Sequence, residues 1–216
     1  MTGAAIAHPH GDPHHLGRMQ EAGAGQDGPA SKRIVTGYGF WIFILSDMVM
    51  FSALFASYAV LLGQTAGGPR GRELFELRNV AIETILLLAS SFSCGLATIA
   101  ADERNKLWFQ FGMAITCAFG LGFLAIEVNE FAGLVARGAG PTRSAFLSAF
   151  FTLVGCHGLH VSAGILWLLT MMAQVFAKGF RADIQRRILC FALFWHALDI
   201  IWIAVFTIVY LLGSAS

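Results

Sequence analysis

Eight ionisable residues sit inside otherwise apolar stretches of this 216-residue chain: Asp47, Glu83, Glu127, Glu130, His157, His160, His196 and Asp199. Six of them repeat one spacing, as Glu127-x-x-Glu130, His157-x-x-His160 and His196-x-x-Asp199. Residues three apart on a helix share a face, so each pair forms a short polar stripe. Carboxylates and imidazoles spaced in this way on facing helices can hold a di-metal centre. Such centres use Glu-x-x-His on two helices, however, and this chain has Glu-x-x-Glu and His-x-x-His instead. A b-type haem needs two histidines facing each other across a bundle, and only His196 could partner His157 or His160. An intramembrane proton or ion relay is a third use of such residues, but the sequence shows neither an inverted repeat nor a helix broken by Gly or Pro. From the residues alone, the strongest reading is that the pairs hydrogen-bond helix to helix and fix the packing.

The elements that must position these residues follow from composition. With 56% hydrophobic and 12% charged residues and a mean hydropathy of +0.68, the chain has more apolar surface than one water-soluble core can bury. Five apolar runs, at 38–62, 79–101, 107–126, 145–177 and 188–212, reach the roughly 20 residues that a helical crossing requires. Unsatisfied backbone in lipid leaves an all-α, five-helix polytopic membrane bundle over 34–214 as the expected fold. Residues 1–33 are rich in Gly, Ala, Pro and His, which predicts a disordered tail rather than a second domain. The tail's "HPHGDPHH" holds its histidines in no fixed geometry, which argues against a specific metal site. Its distance from the first apolar run argues against a cleaved signal peptide. All four cysteines fall within the spans at no metal or redox spacing and read as packing residues.

Lys and Arg counts set the orientation. A cytoplasmic N-terminus places nine basic residues inside (Arg18, Lys32, Arg33, Arg104, Lys106, Lys178, Arg181, Arg186 and Arg187). It leaves five outside (Arg70, Arg72, Arg78, Arg137 and Arg143), so the positive-inside bias favours a cytoplasmic N-terminus and a periplasmic C-terminus. No basic cluster suggests nucleic acid. Counting about 1.5 Å of rise per residue from the span ends predicts two polar layers. Asp47, His196 and Asp199 form the inner one. Glu83, Glu127, Glu130, His157 and His160 form the outer one, with Glu127 and Glu130 closing the third span. The two layers separate His196 from the other histidines, which argues against the haem reading.

Several segments also carry a resemblance. "GYGFWIFILSDMVMFSALFASYAVLL", "EVNEF", "FLSAFFTLVGCHGLHVSAGILWL" and "LFWHALDIIWIAVFTIVYLLGS" together resemble subunit III of the haem-copper terminal oxidases, in order and over about 35–214. The most specific elements are His157-Gly158-Leu159-His160-Val161 and Trp195-His196-x-x-Asp199-x-x-Trp202, combined with Ser46-Asp47 and Glu127-x-x-Glu130. Five spans rather than seven, the His-rich tail and "ELFEL" before the second span look like the quinol-oxidising, cytochrome bo type branch. Five-helix subunits also occur in some bacterial cytochrome c and menaquinol oxidases, which keeps those donors open.

The resemblance implies a non-catalytic subunit of a proton-pumping quinol oxidase in a bacterial inner membrane. Its implied partners are oxidase subunits I, II and IV and membrane phospholipids, and ubiquinol is the substrate of the complex. Haem b, haem o and copper are then expected in subunit I, with no cofactor on this chain. It further implies that the chain holds lipids in a cleft between its first two helices and the rest, and supports oxygen access and proton uptake. Asp47 matches the family's intramembrane acidic position, and His196 and Asp199 become internal struts. Lys178, Arg181, Arg186 and Arg187 are candidates for anionic lipid headgroups, alongside ordinary positive-inside anchoring. The charge asymmetry predicts that a cytoplasm-active reporter works when fused after Arg104 or Arg181, and that a periplasm-active one works after Gly140 or Ser216. A periplasmic signal at Arg181 would reverse the assigned orientation.

Overall fold

The computed structural model describes residues 32–66 and 77–211. They form five helices: α1 (Lys32–Leu61), α2 (Leu77–Asp102), α3 (Lys106–Ala136), α4 (Ala145–Lys178) and α5 (Ala182–Val205), the last continuing as a π-helical turn, Phe206–Leu211. All five are long and apolar enough to cross a membrane. The expected tail lies outside the described residues up to position 31, and its last two residues, Lys32 and Arg33, already belong to α1. "ELFEL" lies outside them as well, save for its final residue, Leu77, at the start of α2.

Short connections are set by local chemistry. Asn105 caps α3 by accepting from the Trp108 N–H through Oδ1 at 3.3 Å, and Ser144 caps α4 by accepting from the Leu147 N–H at 3.2 Å. Each satisfies one of the donors that a helix start leaves unpaired. Gly179 ends α4 at φ 70°, a left-handed conformation that a side chain resists, and lets the chain turn into α5 within three residues.

The outer surface is apolar as well as the core, and several ionisable residues are turned inside. Val49, Phe92, Leu159 and Phe176 are 70% or more exposed, while Glu83 and His157 are fully buried. Apolar side chains face the hydrocarbon at no cost, so close backbone approach and internal hydrogen bonds hold the helices together. A Cβ on Gly112 of α3 would stand 2.9 Å from that of Ala97 on α2, and Ser93 and Thr116 hydrogen-bond across the same contact at 2.7 Å. α5 is the most enclosed helix and α1 the least. Trp195 of α5 fits between two glycines, Gly120 of α3 and Gly164 of α4, and its Nε1–H donates to Ser90 Oγ on α2 at 3.1 Å. One indole thus joins four helices.

The structure corrects two expectations. α3 does not end at 126 but runs on to Ala136, so Glu127 and Glu130 lie inside it. Glu127 is buried and Glu130 half-buried. Nor do the first two helices stand apart from the rest. The small residues at Gly112 and Ala97 fasten α2 to α3, which leaves α1 alone as the loosely held element.

Gly164 supplies the test of this packing. A methyl there would meet Trp195 Cζ3 at 2.8 Å, and Gly120 blocks the ring's retreat. Gly164→Ala should therefore destabilise the bundle by about 1 to 3 kcal/mol, the usual range for overpacking. Gly158→Ala, whose methyl meets only Leu124 Cδ2 at 4.0 Å, should be neutral or slightly stabilising. Thermal denaturation in detergent distinguishes the two, and an equal melting temperature for Gly164→Ala and the parent would contradict the packing argument.

Candidate functional site

The eight intramembrane residues fall into four neighbourhoods, which cut across the two expected layers. The first joins α1 to α4. Asp47 Oδ2 lies 3.8 Å from His160 Nε2, and both side chains are about one-fifth exposed. α1 begins at Lys32 rather than 38 and α4 is 34 residues long, so Asp47 and His160 each fall near the middle of their helix. His160 Nδ1 lies 2.8 Å from the Cys156 carbonyl, which can only accept, so Nδ1 carries a proton. Nε2 is then the nitrogen that faces the carboxyl group.

His157, one turn away on α4, is fully buried among the rings of Phe51, Phe123 and Trp202, with centroids at 6.3, 5.8 and 5.3 Å. Neither of its ring nitrogens has a hydrogen-bond partner among the described residues. Aromatic side chains fill the space that a macrocycle would need, so the geometry does not fit a haem between His157 and His196.

Carboxyl groups make the third neighbourhood. Glu83 of α2 and Glu127 of α3 are buried, and their carboxyl oxygens have no hydrogen-bond partner among the described residues. Their charged neighbours are each other and Glu130, and Tyr210 at the end of α5 faces all three. Tyr58 of α1 reaches the same end of the bundle, where its hydroxyl donates to the Val209 carbonyl at 3.2 Å. Among the described residues, no three of His, Cys, Asp and Glu come together in a way that could hold a metal ion.

The fourth neighbourhood lies between α2 and α5. Ser91 Oγ is 2.7 Å from His196 Nδ1, and Asp199 Oδ2 is 4.0 Å from the same nitrogen. Asp47, expected in this layer, is paired with α4 instead. Sequence reasoning missed the hydroxyl partners. Thr84 accepts from Trp202 Nε1–H at 3.1 Å, and Ser90 and Ser91 serve Trp195 and His196. The available signal was the "TILLLASSFS" of α2, whose hydroxyls at 84 and 91 lie seven residues, or two turns, apart.

At the basic end of the bundle, a cavity of about 330 Å³ is lined by Thr36 and Phe40 of α1, Trp167 of α4, and Asp183, Arg186, Arg187 and Cys190 of α5. Arg187 donates to Gln174 Oε1 at 3.0 Å, and Arg181 is 3.6 Å from Asp183. Of the four basic candidates, only Arg186 and Arg187 line this cavity; Lys178 and Arg181 do not.

Comparison with known proteins places these features in a family. The sequence profile of cytochrome c oxidase subunit III matches residues 20–214. The chain is 48% identical to a cytochrome bo(3) ubiquinol oxidase subunit 3 from Pseudomonas aeruginosa, over 93% of this chain and 96% of that protein. It is 43% identical to a quinol oxidase subunit 3 from Bacillus subtilis, over 81% and 86%. It is 41% identical to a cytochrome c oxidase subunit 3 from Bacillus sp. (strain PS3), over 81% and 84%. With a match over nearly its whole length and five helices long and apolar enough to cross a membrane, this chain belongs to the cytochrome c oxidase subunit III family.

Proposed function

We propose that this chain is the accessory subunit III of a proton-pumping quinol oxidase in a bacterial inner membrane. Its N-terminus is cytoplasmic and its C-terminus periplasmic, and it assembles with oxidase subunits I, II and IV. The observation that carries the reading is the near full-length identity to a ubiquinol oxidase subunit in P. aeruginosa. In this reading the complex oxidises ubiquinol and reduces oxygen to water, and haem b, haem o and copper belong to subunit I. The identity to the Bacillus sp. cytochrome c oxidase subunit favours, as a second reading, the same role in a complex with a different electron donor.

Two sites give the chain its supporting role. Asp47 and His160 face each other near mid-bilayer in a partly open position, an arrangement that suits supply of protons to a neighbouring subunit. The cavity between α1, α4 and α5 combines two guanidinium groups with Phe40 and Trp167, a combination that fits an anionic phospholipid: phosphate on the arginines, acyl chain along the rings. In this reading the lipid lies between α1, α4 and α5 rather than in a cleft between the first two helices and the rest.

Removing the chain from the assembled complex should leave the haem spectrum and the initial rate of quinol oxidation intact, while activity decays during turnover and fastest at high pH. Asp47→Asn, which keeps shape but removes the acid, should reproduce part of that decay with normal assembly. Disappearance of a haem band on removal would show instead that this chain supplies a ligand. For the lipid, Arg186→Gln with Arg187→Gln should lose a phospholipid adduct seen by native mass spectrometry of the parent complex. An unchanged adduct would place the lipid elsewhere.

A further inference from the structure

α5 is nearly enclosed, and the little of it that remains open follows a strict pattern. Between 188 and 203 only Leu189, Leu193, His196, Ile200 and Ile203 are not buried. Their spacings of four, three, four and three residues are the seam by which one helix packs along another. Gly37 of α1 approaches Leu189 at one end, and Ser91 of α2 holds His196 further along.

His196 is the polar member of this seam, and its position restricts what can cover it. Its side chain is 42% exposed, Nδ1 is engaged by Ser91, and Nε2 has no partner within the chain among the described residues. It lies 14 residues after Ala182 and 15 before Leu211, at the centre of the spanning segment. At about 1.5 Å per residue that is roughly 20 Å from either end of the helix and about 14 Å from Arg187, beyond the hydrogen-bonding reach of lipid headgroups. Whichever ring nitrogen carries the proton, Nε2 presents a donor or an acceptor to the hydrocarbon, where an unmet polar group is costly. Only a protein side chain or backbone group at the same depth can meet it.

We infer that the α5 seam at Leu189, Leu193, His196, Ile200 and Ile203 receives one membrane-spanning helix of another subunit, which carries at mid-bilayer a hydrogen-bonding group for His196 Nε2. This rests on the reading of the chain as a subunit of a larger oxidase. The apolar members supply packing and the imidazole fixes the register, as a single polar residue does in a helical seam.

The test uses the intact complex in its native membrane. A photoreactive benzophenone amino acid replaces Leu193 or, separately, Ile200, both in the seam and neither in the His196 contacts. Illumination should join this chain to a different subunit from both positions. Adducts with lipid alone, or only a dimer of this chain, in a complex that still contains the haems would overturn the inference and leave the proposed function standing. Absence of the unsubstituted chain from the haem-containing complex would overturn both. In the same complexes His196→Leu should shift dissociation of the subunit in detergent about threefold toward release, the scale of one interhelical hydrogen bond in a membrane. His196→Gln should restore part of the difference, and identical dissociation for the parent and His196→Leu would remove the hydrogen bond from the proposal.

Discussion

Hydrocarbon offers no hydrogen bonds, and every polar group in this bundle is placed under that constraint. Apolar burial gives the helices no reason to associate when lipid is as apolar as their surfaces. Contact between them is decided by small residues that bring backbones close and by polar groups that have nowhere else to go. Gly112 against Ala97 and Gly120 and Gly164 around Trp195 perform the first function. Ser90, Ser91, Thr84 and Tyr58, each bonded to a group on α5 or its π-helical continuation, perform the second. A single indole that fills two glycine notches and donates to a serine combines both.

The same constraint explains the arrangement of the ionisable residues. They are concentrated where helices meet, and each neighbourhood joins at least two helices. α1 and α4 meet at Asp47 and His160, α2 and α3 at the glutamates, and α2 and α5 at Ser91 and His196. Membership of an oxidase subunit III family fits a chain whose internal polar groups are spent largely on holding its own helices. The positions that remain partly open, Asp47, His160 and His196, are those with something left to offer a neighbour.

Spans were legible in the sequence because hydropathy and length alone decide whether a helix can cross. The i,i+3 stripes were legible because helical geometry fixes which residues share a face. Pairing between stripes was not. It depends on how far each helix slides and turns against the next, which here is set by contacts such as Gly112 on Ala97 that leave no periodic signal. Asp47 shows this: it and His196 both lie near the middle of their helices, yet α1 meets α4 there and its partner is His160. Glu127 and Glu130 were expected to close a span because a charge so often marks a membrane border. They proved interior because their neighbours are Glu83 and Tyr210 rather than water. The hydroxyl partners on α2 were visible as letters, but serines and threonines are so common in membrane helices that nothing singled them out.

The loose hold on α1 carries a consequence for how the chain is made. Its side-chain contacts reach mainly to α4 and the end of α5, through Trp167, His157, His160, Phe146 and Val209, the later-synthesised part of the molecule. Asp47 must therefore enter the bilayer more than a hundred residues before His160 exists. At about 5 to 20 residues per second, that is roughly ten seconds with an acid in hydrocarbon and no partner. The strongly apolar remainder of α1 is what allows insertion to proceed with one unfavourable residue aboard. Of the five helices described, the earliest in the chain is thus among the last to be fastened, because its partners in α4 and α5 follow it.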